Sequence, residues 1–436
     1  MDDMKAYLRD TIMKLKEELI ELTAKAVQIN SITPTYPGIS YTEAIGGESR
    51  VNGLYKEYME SFGLVTDSWE AEEKRANLAG TYKGTGNGKS LLFNGHVDVV
   101  PPGPLEKWTE ASPWSGLVRD NKIWGRGSCD MKGGNSAVLV ALKALHTLGY
   151  KPKGDIHALF VVGEEMMNTQ AGTLSAIDRG YSADGGIVVE PSSPPYRLGL
   201  APASPGALYM ICTIPGKAGH ASMRHQMIRP GGNGEVTGVS SIDKAFIIYQ
   251  GLRLLEEEWG QTKSHPLYPK PGHFTIHPGV ISGGNDGAFI ISEESRIEYA
   301  IWYPPHEAKD KIIDEIEAQV NRFADTDPWL RKNPPKINWL IWWPPYDVPP
   351  ESPICRTIAG AYENSFNEKI KYYGFSGNND AAFLNQAGIP TVTIGPGDLT
   401  RAHKANEHVC IDELIDASIL YARTIMDWCG STNMAS

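Results

Sequence analysis

Short apolar runs bounded by turn residues recur through the first half of the chain, and such runs predict buried β-strands. Three of them cover residues 91–95, 156–163 and 186–189. Between these runs, apolar residues recur at helical spacing, for example from Val138 to Leu148. Strands and helices that alternate in this way predict an α/β fold with a mostly parallel sheet.

Two further patterns occupy the N-terminal part. Apolar residues recur three or four positions apart from Leu8 to Leu22, which predicts an amphipathic helix. The stretch from Thr33 to Arg50 is rich in Gly, Pro and Ser. We expect a long loop there, and long loops are usually either functional or disordered.

The pattern changes after Pro191. The elements that periodicity predicts beyond this point are strands at 208–214, 295–302, 336–343 and 390–394, and helices at 241–257, 306–322, 354–366 and 411–428. We therefore expect a catalytic domain formed by residues 1–205 and 345–436. A smaller α+β domain, for dimerisation or as a lid, should interrupt it at residues 206–344.

Each of the three early strands runs directly into side chains that can bind a metal ion. The first leads to His96 and Asp98, the second to Glu164 and Glu165, and the third to Glu190. Ligands bind outside the carboxyl ends of the strands in open α/β sheets, so these side chains should lie together. A cluster of imidazole and carboxylates is costly to bury without a partner, and it predicts a divalent metal site.

Composition narrows the range of partners. The chain has 436 residues, of which 41% are hydrophobic and 21% charged, as in ordinary globular proteins. Its net charge of -11 argues against a nucleic-acid partner. No apolar run reaches the roughly 18 residues of a membrane span, and the N-terminus lacks the pattern of a signal peptide. The five cysteines have no CxxC spacing, which suits free thiols and a cytoplasmic protein.

Six motifs follow one another along the chain: His96-Val97-Asp98, Gly125 to Gly134 around Asp130, Gly163-Glu164-Glu165, Glu190-Pro191-Ser192, Gly219-His220-Ala221-Ser222 and Ala402-His403-Lys404. Their order and intervals resemble those of the M20 metallopeptidases, the family of acetylornithine deacetylases, succinyl-diaminopimelate desuccinylases, aminoacylases and glutamate carboxypeptidases. One such motif is weakly specific, but six in order are strongly so. The resemblance extends from the N-terminal to the C-terminal helix.

This resemblance implies a centre with two metal ions. His96 and Glu190 would hold one ion, Glu165 and His403 the other, and Asp130 would bridge the two. Zinc, cobalt and manganese all accept imidazole and carboxylate ligands. Two ions about 3.5–4 Å apart can share a hydroxide nucleophile. We also expect a homodimer formed through the inserted domain.

Three residues complete the expected catalytic apparatus. Asp98 lies two positions after His96 on an extended strand, so its carboxylate can accept a hydrogen bond from the imidazole. The resemblance makes Glu164 the general base that carries a proton to the leaving amine. It makes His220, in the inserted domain, the residue that stabilises the oxyanion.

Each of these residues also has a simpler interpretation. Asp98 can be a solvated loop residue, Glu164 and Glu165 the charged start of a helix, and His220 a surface histidine. Other conspicuous histidines and tryptophans are interpreted as structural, interface or surface residues: His225, His408, Trp339, Trp342 and Trp343.

One position departs from the family pattern. Many members carry an arginine in the inserted domain that binds the substrate carboxylate, and Trp302 stands at that position here. An indole cannot pair with a carboxylate, although it can stack on a flat ring. Arg224, Arg229 or Arg401 can supply a replacement cation, and Asn378 lies in a glycine-rich loop with unusual asparagines. We therefore expect an altered pocket, with Trp302, Asn378 and Arg224 as candidate substrate-binding residues.

Three functions are compatible with these residues. The first is a two-metal hydrolase that cleaves the amide C–N bond of a small N-acyl amino acid or dipeptide-like substrate, with Glu164 as base. The second is a hydrolytic deaminase that acts on a planar amine, and the third is an inactive metal-binding scaffold. Retention of Glu164 beside all five expected ligands argues against the third. Because of Trp302, we expect poor turnover of plain N-acetyl amino acids and better turnover of small molecules with a planar or apolar group.

Overall fold

The computed structural model describes residues 2–192, 195–225, 237–284 and 287–432. The chain divides into two compact units, one formed by Met1–Ser204 with Asp347–Ser436 and the other by Pro205–Tyr346. The sequence places the corresponding boundaries after residues 205 and 344. No helix in the described ranges is long and apolar enough to cross a membrane, and all five cysteines are free.

Helices of the first unit surround a sheet. They are Asp2–Lys14, Lys16–Gln28, Tyr41–Ala44, Gly47–Ser61, Gly133–Thr147, Thr173–Asp178, Pro353–Phe366, Ala381–Gln386 and Ile411–Cys429. The single helix predicted from Leu8 to Leu22 is interrupted at Leu15, a break that the sequence does not reveal because the apolar spacing continues across it. The loop predicted from Thr33 to Arg50 contains the short helix Tyr41–Ala44 and ends where the helix Gly47–Ser61 begins. The sequence does not indicate this start because the first turn of the second helix is polar.

The strands of the main sheet lie side by side in the order Val65–Glu72, Arg75–Tyr82, Ile156–Val161, Leu91–His96, Gly186–Val188, Thr391–Thr393, Leu200–Ser204 and Tyr346–Asp347, with Tyr372–Gly374 also paired to Leu200–Ser204. The four strands at its centre, from Ile156–Val161 to Thr391–Thr393, are parallel neighbours. The prediction of an α/β fold on a mostly parallel sheet is therefore confirmed. A smaller sheet joins Leu117–Arg119, Lys122–Trp124 and His408–Cys410.

The second unit has two layers, as predicted. Its sheet is antiparallel, in the order Thr275–Gly283, Glu294–Tyr303, Gly206–Pro215 and Lys336–Trp343, and a short ladder joins Gly219–His220 to Ile290–Ile291. Its long helices are Ser241–Thr262 and Lys309–Ala324.

Alternate residues of the strand Glu294–Tyr303, including Ile297 and Ile301, are buried in a core that also contains residues of both helices. Trp339 packs against this core and Trp343 is buried. The structural interpretation of these two tryptophans is thus confirmed, whereas Trp342 is 41% exposed.

Candidate active site

The three predicted strands bring their functional side chains to one edge of the sheet. His96 ends the strand Leu91–His96, and Glu190 follows the strand Gly186–Val188. Glu164 and Glu165 follow Ile156–Val161 after a turn at Gly163, whose positive φ of 83° favours glycine. They begin a short 3-10 turn, Glu164–Met166. The convergence expected from the strand ends is therefore present.

Asp130 contacts two histidines through different oxygens. Its Oδ1 lies 3.1 Å from Nε2 of His96, and its Oδ2 lies 3.3 Å from Nε2 of His403. Asp130 belongs to the irregular turn Ser128–Lys132 that precedes the long buried helix Gly133–Thr147. A carboxylate between two imidazoles is the arrangement that a bridging ligand requires.

Each histidine also contacts a carboxylate of its own. Nε2 of His96 lies 3.4 Å from Oε1 of Glu190, and Nε2 of His403 lies 2.9 Å from Oε2 of Glu165. The site therefore consists of two halves, each with one histidine and one carboxylate, that share Asp130. These pairs are the same as those expected for the two metal ions.

The site has features that a cation would satisfy. Oε1 of Glu165 is buried and has no hydrogen-bond partner among the described residues. Ligand atoms of His96, Asp130 and Glu165 lie within 4.8 Å of one another, and so do those of His96, Glu164 and Glu190. Imidazole nitrogens and carboxylate oxygens are ligands of zinc, cobalt and manganese. The donor set fits divalent metal ions.

The pKa values of the site residues reflect their burial beside several carboxylates. Burial raises the pKa of Glu190 to about 8, and the charge of Asp130 adds to the effect. Burial opposes protonation of His403, but its hydrogen bonds to Asp130 and Glu165 raise its pKa to about 11. Burial also raises the pKa of Glu164 well above the ordinary range.

Asp98 has a different role from the one expected. The imidazole Nδ1 of His96 lies 2.9 Å from the main-chain oxygen of Asp98 and 3.7 Å from its carboxylate. The carboxylate instead accepts hydrogen bonds from the main-chain N–H groups of Gly163, Glu164 and Glu165. The side chain turns toward these donors because they would otherwise lack an acceptor. Asp98 is fully buried, so its interpretation as a solvated residue is wrong.

Two buried carboxylates near the site were not predicted from the sequence. Asp380 accepts a hydrogen bond from Thr173 at 2.6 Å, and burial raises its pKa to about 6. The carboxylate of Glu407 accepts hydrogen bonds from the main-chain N–H groups of Gly127, Cys129 and Asp130. The available signals were weak: Asp380 lies in the glycine-rich loop that contains Asn378, and Glu407 lies four residues after His403.

The remaining candidates are distributed over both units. His220, Arg224 and Trp302 belong to the second unit. Arg224 is exposed and pairs with Asp243 at 3.0 Å, and Trp302 is half-buried. Asn378, in the first unit, is half-buried.

Other residues named from the sequence are peripheral or structural. Arg401 is exposed and lies 3.6 Å from Asp398. Exposed His225 contacts the main-chain oxygen of Ser222. His408 packs on the ring of Trp124, which supports its structural interpretation. Arg229 lies outside the described residues.

Histidines and carboxylates gathered at the carboxyl edge of an α/β sheet form a site that can hold divalent metal ions, as metal-dependent hydrolases require. The chain belongs to peptidase family M20/M25/M40, whose family model matches residues 92–427. The predictions of this family and of a hydrolase are confirmed.

Comparison with a sequence relative supports the family, and comparison with solved structures shows the same fold. The chain is 34% identical over 440 residues to the N-formyl-4-amino-5-aminomethyl-2-methylpyrimidine deformylase of Bacillus subtilis, covering 98% of this chain and 99% of the relative. A tripeptidase from Staphylococcus aureus has a similar structure, with a TM-score of 0.72, 21% identity, and coverage of 94% of this chain and 98% of that one. A dinuclear metal-binding peptidase of family M20 from Bacillus subtilis aligns with a TM-score of 0.64 and 13% identity, over 96% of this chain and 99% of that one.

Proposed function

We propose that this protein is a two-metal amidohydrolase that removes a formyl or other short acyl group from an amine carrying a planar heteroaromatic ring. The hydrolase mechanism rests on one observation. Asp130 contacts both His96 and His403, and each histidine also contacts a second carboxylate, Glu190 or Glu165. The proposed substrate class rests on the similarity to the pyrimidine deformylase and on Trp302.

In this proposal His96 and Glu190 would hold one ion, His403 and Glu165 would hold the other, and Asp130 would serve both. Divalent ions bound there supply Lewis acidity, which lowers the pKa of water and polarises a carbonyl oxygen. The Asp98 carboxylate keeps the turn that carries Glu165 in place through its main-chain hydrogen bonds.

Glu164 is the proposed proton carrier. It takes a proton from the attacking water as the C–O bond forms, and gives it to the amide nitrogen as the C–N bond breaks. The products are a carboxylate, formate in the simplest case, and a free amine.

His220 is the proposed donor to the oxyanion. Its Nδ1 accepts a hydrogen bond from the main-chain N–H of Ser222 at 3.2 Å. In a neutral imidazole whose Nδ1 accepts, Nε2 carries the hydrogen and can donate. Nδ1 also lies 2.8 Å from the Ser222 hydroxyl, which can donate to it, so both contacts with Ser222 are compatible with a hydrogen on Nε2.

Trp302 supports a planar substrate. It lies on the strand Glu294–Tyr303 between Ile301 and Tyr303, which are buried in the core of the second unit. Because side chains alternate along a strand, the indole lies on the opposite face of the sheet. An aromatic face there suits a flat ring and offers no partner for a substrate carboxylate.

A hydrolysis screen tests the proposal. Protein treated with a chelator and reloaded with zinc, cobalt or manganese would be supplied with the N-formyl and N-acetyl derivatives of 4-amino-5-aminomethyl-2-methylpyrimidine, and with N-formyl and N-acetyl amino acids. We expect the formylated pyrimidine to be cleaved fastest, with loss of activity on chelation and recovery on reloading. Formate release by Glu164→Gln is the control for background hydrolysis. Faster cleavage of N-acetylornithine would contradict the proposed substrate class, and activity without metal would contradict the mechanism.

We also propose that the second unit forms the contact of a homodimer. Its outer strand Thr275–Gly283 exposes Val280 and Ile281 by 47% and 55%, and Phe246 on the helix Ser241–Thr262 is 58% exposed. An uncovered edge strand beside exposed apolar side chains favours pairing with a second copy. Light scattering of the wild type at micromolar concentration should give the mass of two chains. The double variant Val280→Lys, Ile281→Lys should give the mass of one chain. A wild-type mass of one chain would contradict the dimer.

A further inference from the structure

We propose that Glu407 is a positioning residue. Its carboxylate fixes the main chain of the turn that contains Asp130 and holds that turn against the segment that carries His403. This inference rests on the proposed metal-binding roles of Asp130 and His403. It adds a residue that contacts neither substrate nor metal, and acts through the main chain of a residue that does.

One carboxylate oxygen of Glu407 accepts three hydrogen bonds from the main chain at the turn that contains Asp130. Oε1 accepts hydrogen bonds from the N–H groups of Gly127 at 2.8 Å, Cys129 at 3.1 Å and Asp130 at 3.2 Å. The carboxylate therefore fixes the backbone of Asp130 itself, and with it the origin of the side chain that contacts both histidines.

The second oxygen of Glu407 is also satisfied. Oε2 accepts a hydrogen bond from Nη1 of Arg126, whose guanidinium lies over the ring of Trp108, 5.5 Å from its centroid. The main-chain oxygen of Glu407 accepts from the N–H of Gly125 at 2.9 Å. Charge-assisted bonds of this kind are stronger than neutral ones, and the bond from Arg126 opposes the effect of burial, which raises the pKa of the Glu407 carboxyl to about 7.

The chain position of Glu407 explains why one residue can serve both halves of the site. It lies four residues after His403, in the same turn-rich segment. His403 has a positive φ of 62°, which is uncommon for a residue other than glycine and needs support from its surroundings. Anchoring Glu407 on the Asp130 turn holds the two ligand-bearing segments against each other, and a change at Glu407 should disturb both contacts of Asp130.

Glu407→Gln tests the inference. Glutamine has the same shape, but its amide nitrogen must face either Arg126 or the main-chain N–H groups, donor against donor. We expect the folded variant to bind cobalt ions about 10–100-fold more weakly, as is typical when a residue behind the ligands is changed. The visible absorption of bound cobalt should change as well, because the ligand geometry changes.

The matched control is Glu307→Gln. Glu307 is a half-buried carboxylate that also has cationic partners, Lys263 and Lys311, both at 2.9 Å, but it lies in the second unit. This control should leave cobalt affinity and spectrum unchanged even if it lowers stability. If both variants weaken binding equally, Glu407 contributes general stability only and the inference is overturned.

A second variant covers the case in which Glu407→Gln does not fold. Glu407→Asp keeps the charge but is shorter by one methylene group, so it should fold and still alter the cobalt spectrum. Wild-type affinity and spectrum in a folded Glu407 variant would overturn the inference and leave the proposed function intact. A wild-type protein that binds no metal would overturn both.

Discussion

Replacing Asp98 by asparagine should loosen the turn that carries Glu164 and Glu165. Oδ1 of Asp98 accepts from the N–H groups of Gly163 at 2.9 Å and Glu164 at 3.3 Å, and Oδ2 accepts from that of Glu165 at 3.2 Å. Asparagine keeps the size of the side chain but replaces one oxygen with an NH₂ group. If its oxygen takes the place of Oδ1, its nitrogen faces the N–H of Glu165 and that hydrogen bond is lost.

The size of the effect follows from these three bonds. A hydrogen bond to a charged group contributes about 1.5–3 kcal/mol and a neutral one about 0.5–1.5 kcal/mol. One charged bond is lost and two become neutral, while the cost of burying a charge at Asp98 is relieved. We therefore expect the free energy of unfolding to fall by about 2–4 kcal/mol, within the range for a broken buried network.

Urea denaturation of metal-free protein measures this loss, and Asp184→Asn is the control. Asp184 also accepts two hydrogen bonds, from the N–H and hydroxyl of Ser90 at 2.8 Å each, but it is exposed. Its replacement should cost no more than about 0.5 kcal/mol, as for most surface changes. Equal losses for the two variants would refute the argument that burial makes the Asp98 carboxylate important.

Other residues yield predictions that different measurements can check. Glu164→Ala should keep the fold and both metal ions but lower turnover at least about 100-fold; near-normal turnover would remove Glu164 from the mechanism. Asp130→Ala should lose both ions, because Asp130 alone among the described residues contacts both His96 and His403; full metal content by elemental analysis would contradict this. Burial lowers the pKa of His157 below 6.5, so its neutral form contributes stability that is present above pH 6.5 and lost as the pH falls toward the folded-state pKa. In His157→Gln, the free energy of unfolding should therefore fall less steeply below pH 6.5 than in the wild type. Identical slopes for the two proteins would show that His157 does not contribute to the pH dependence.

The meeting of the strand ends and of the side chains that follow them was predictable because its signals are local. An apolar run that ends in His96 or Glu190 can be identified within a few residues of sequence. The rule that strand ends share one edge of a parallel sheet then brings together residues that are far apart in the chain. His403 has no such strand before it, and its assignment depended on the family resemblance.

The roles of Asp98 and Glu407 were not predictable in this way. Their partners are main-chain N–H groups, which every residue other than proline carries and which therefore leave no trace in the sequence. The bond from Gly163 to Asp98 spans 65 residues, and that from Cys129 to Glu407 spans 278. A carboxylate near a ligand motif indicates polar surroundings, but only the fold determines which loop it faces.

Asp98 and Glu407 nevertheless act in the same way on two different loops. Each loop begins with a glycine of positive φ, 83° at both Gly163 and Gly127. The N–H groups that follow then point toward a common carboxylate, as in the concave anion-binding arrangements that successive main-chain amides form. The loop held by Asp98 carries Glu164 and Glu165, and the loop held by Glu407 carries Asp130. Because these main-chain N–H groups belong to the loop residues themselves, the hydrogen bonds to Asp98 and Glu407 set the backbone positions from which the side chains of Glu164, Glu165 and Asp130 extend.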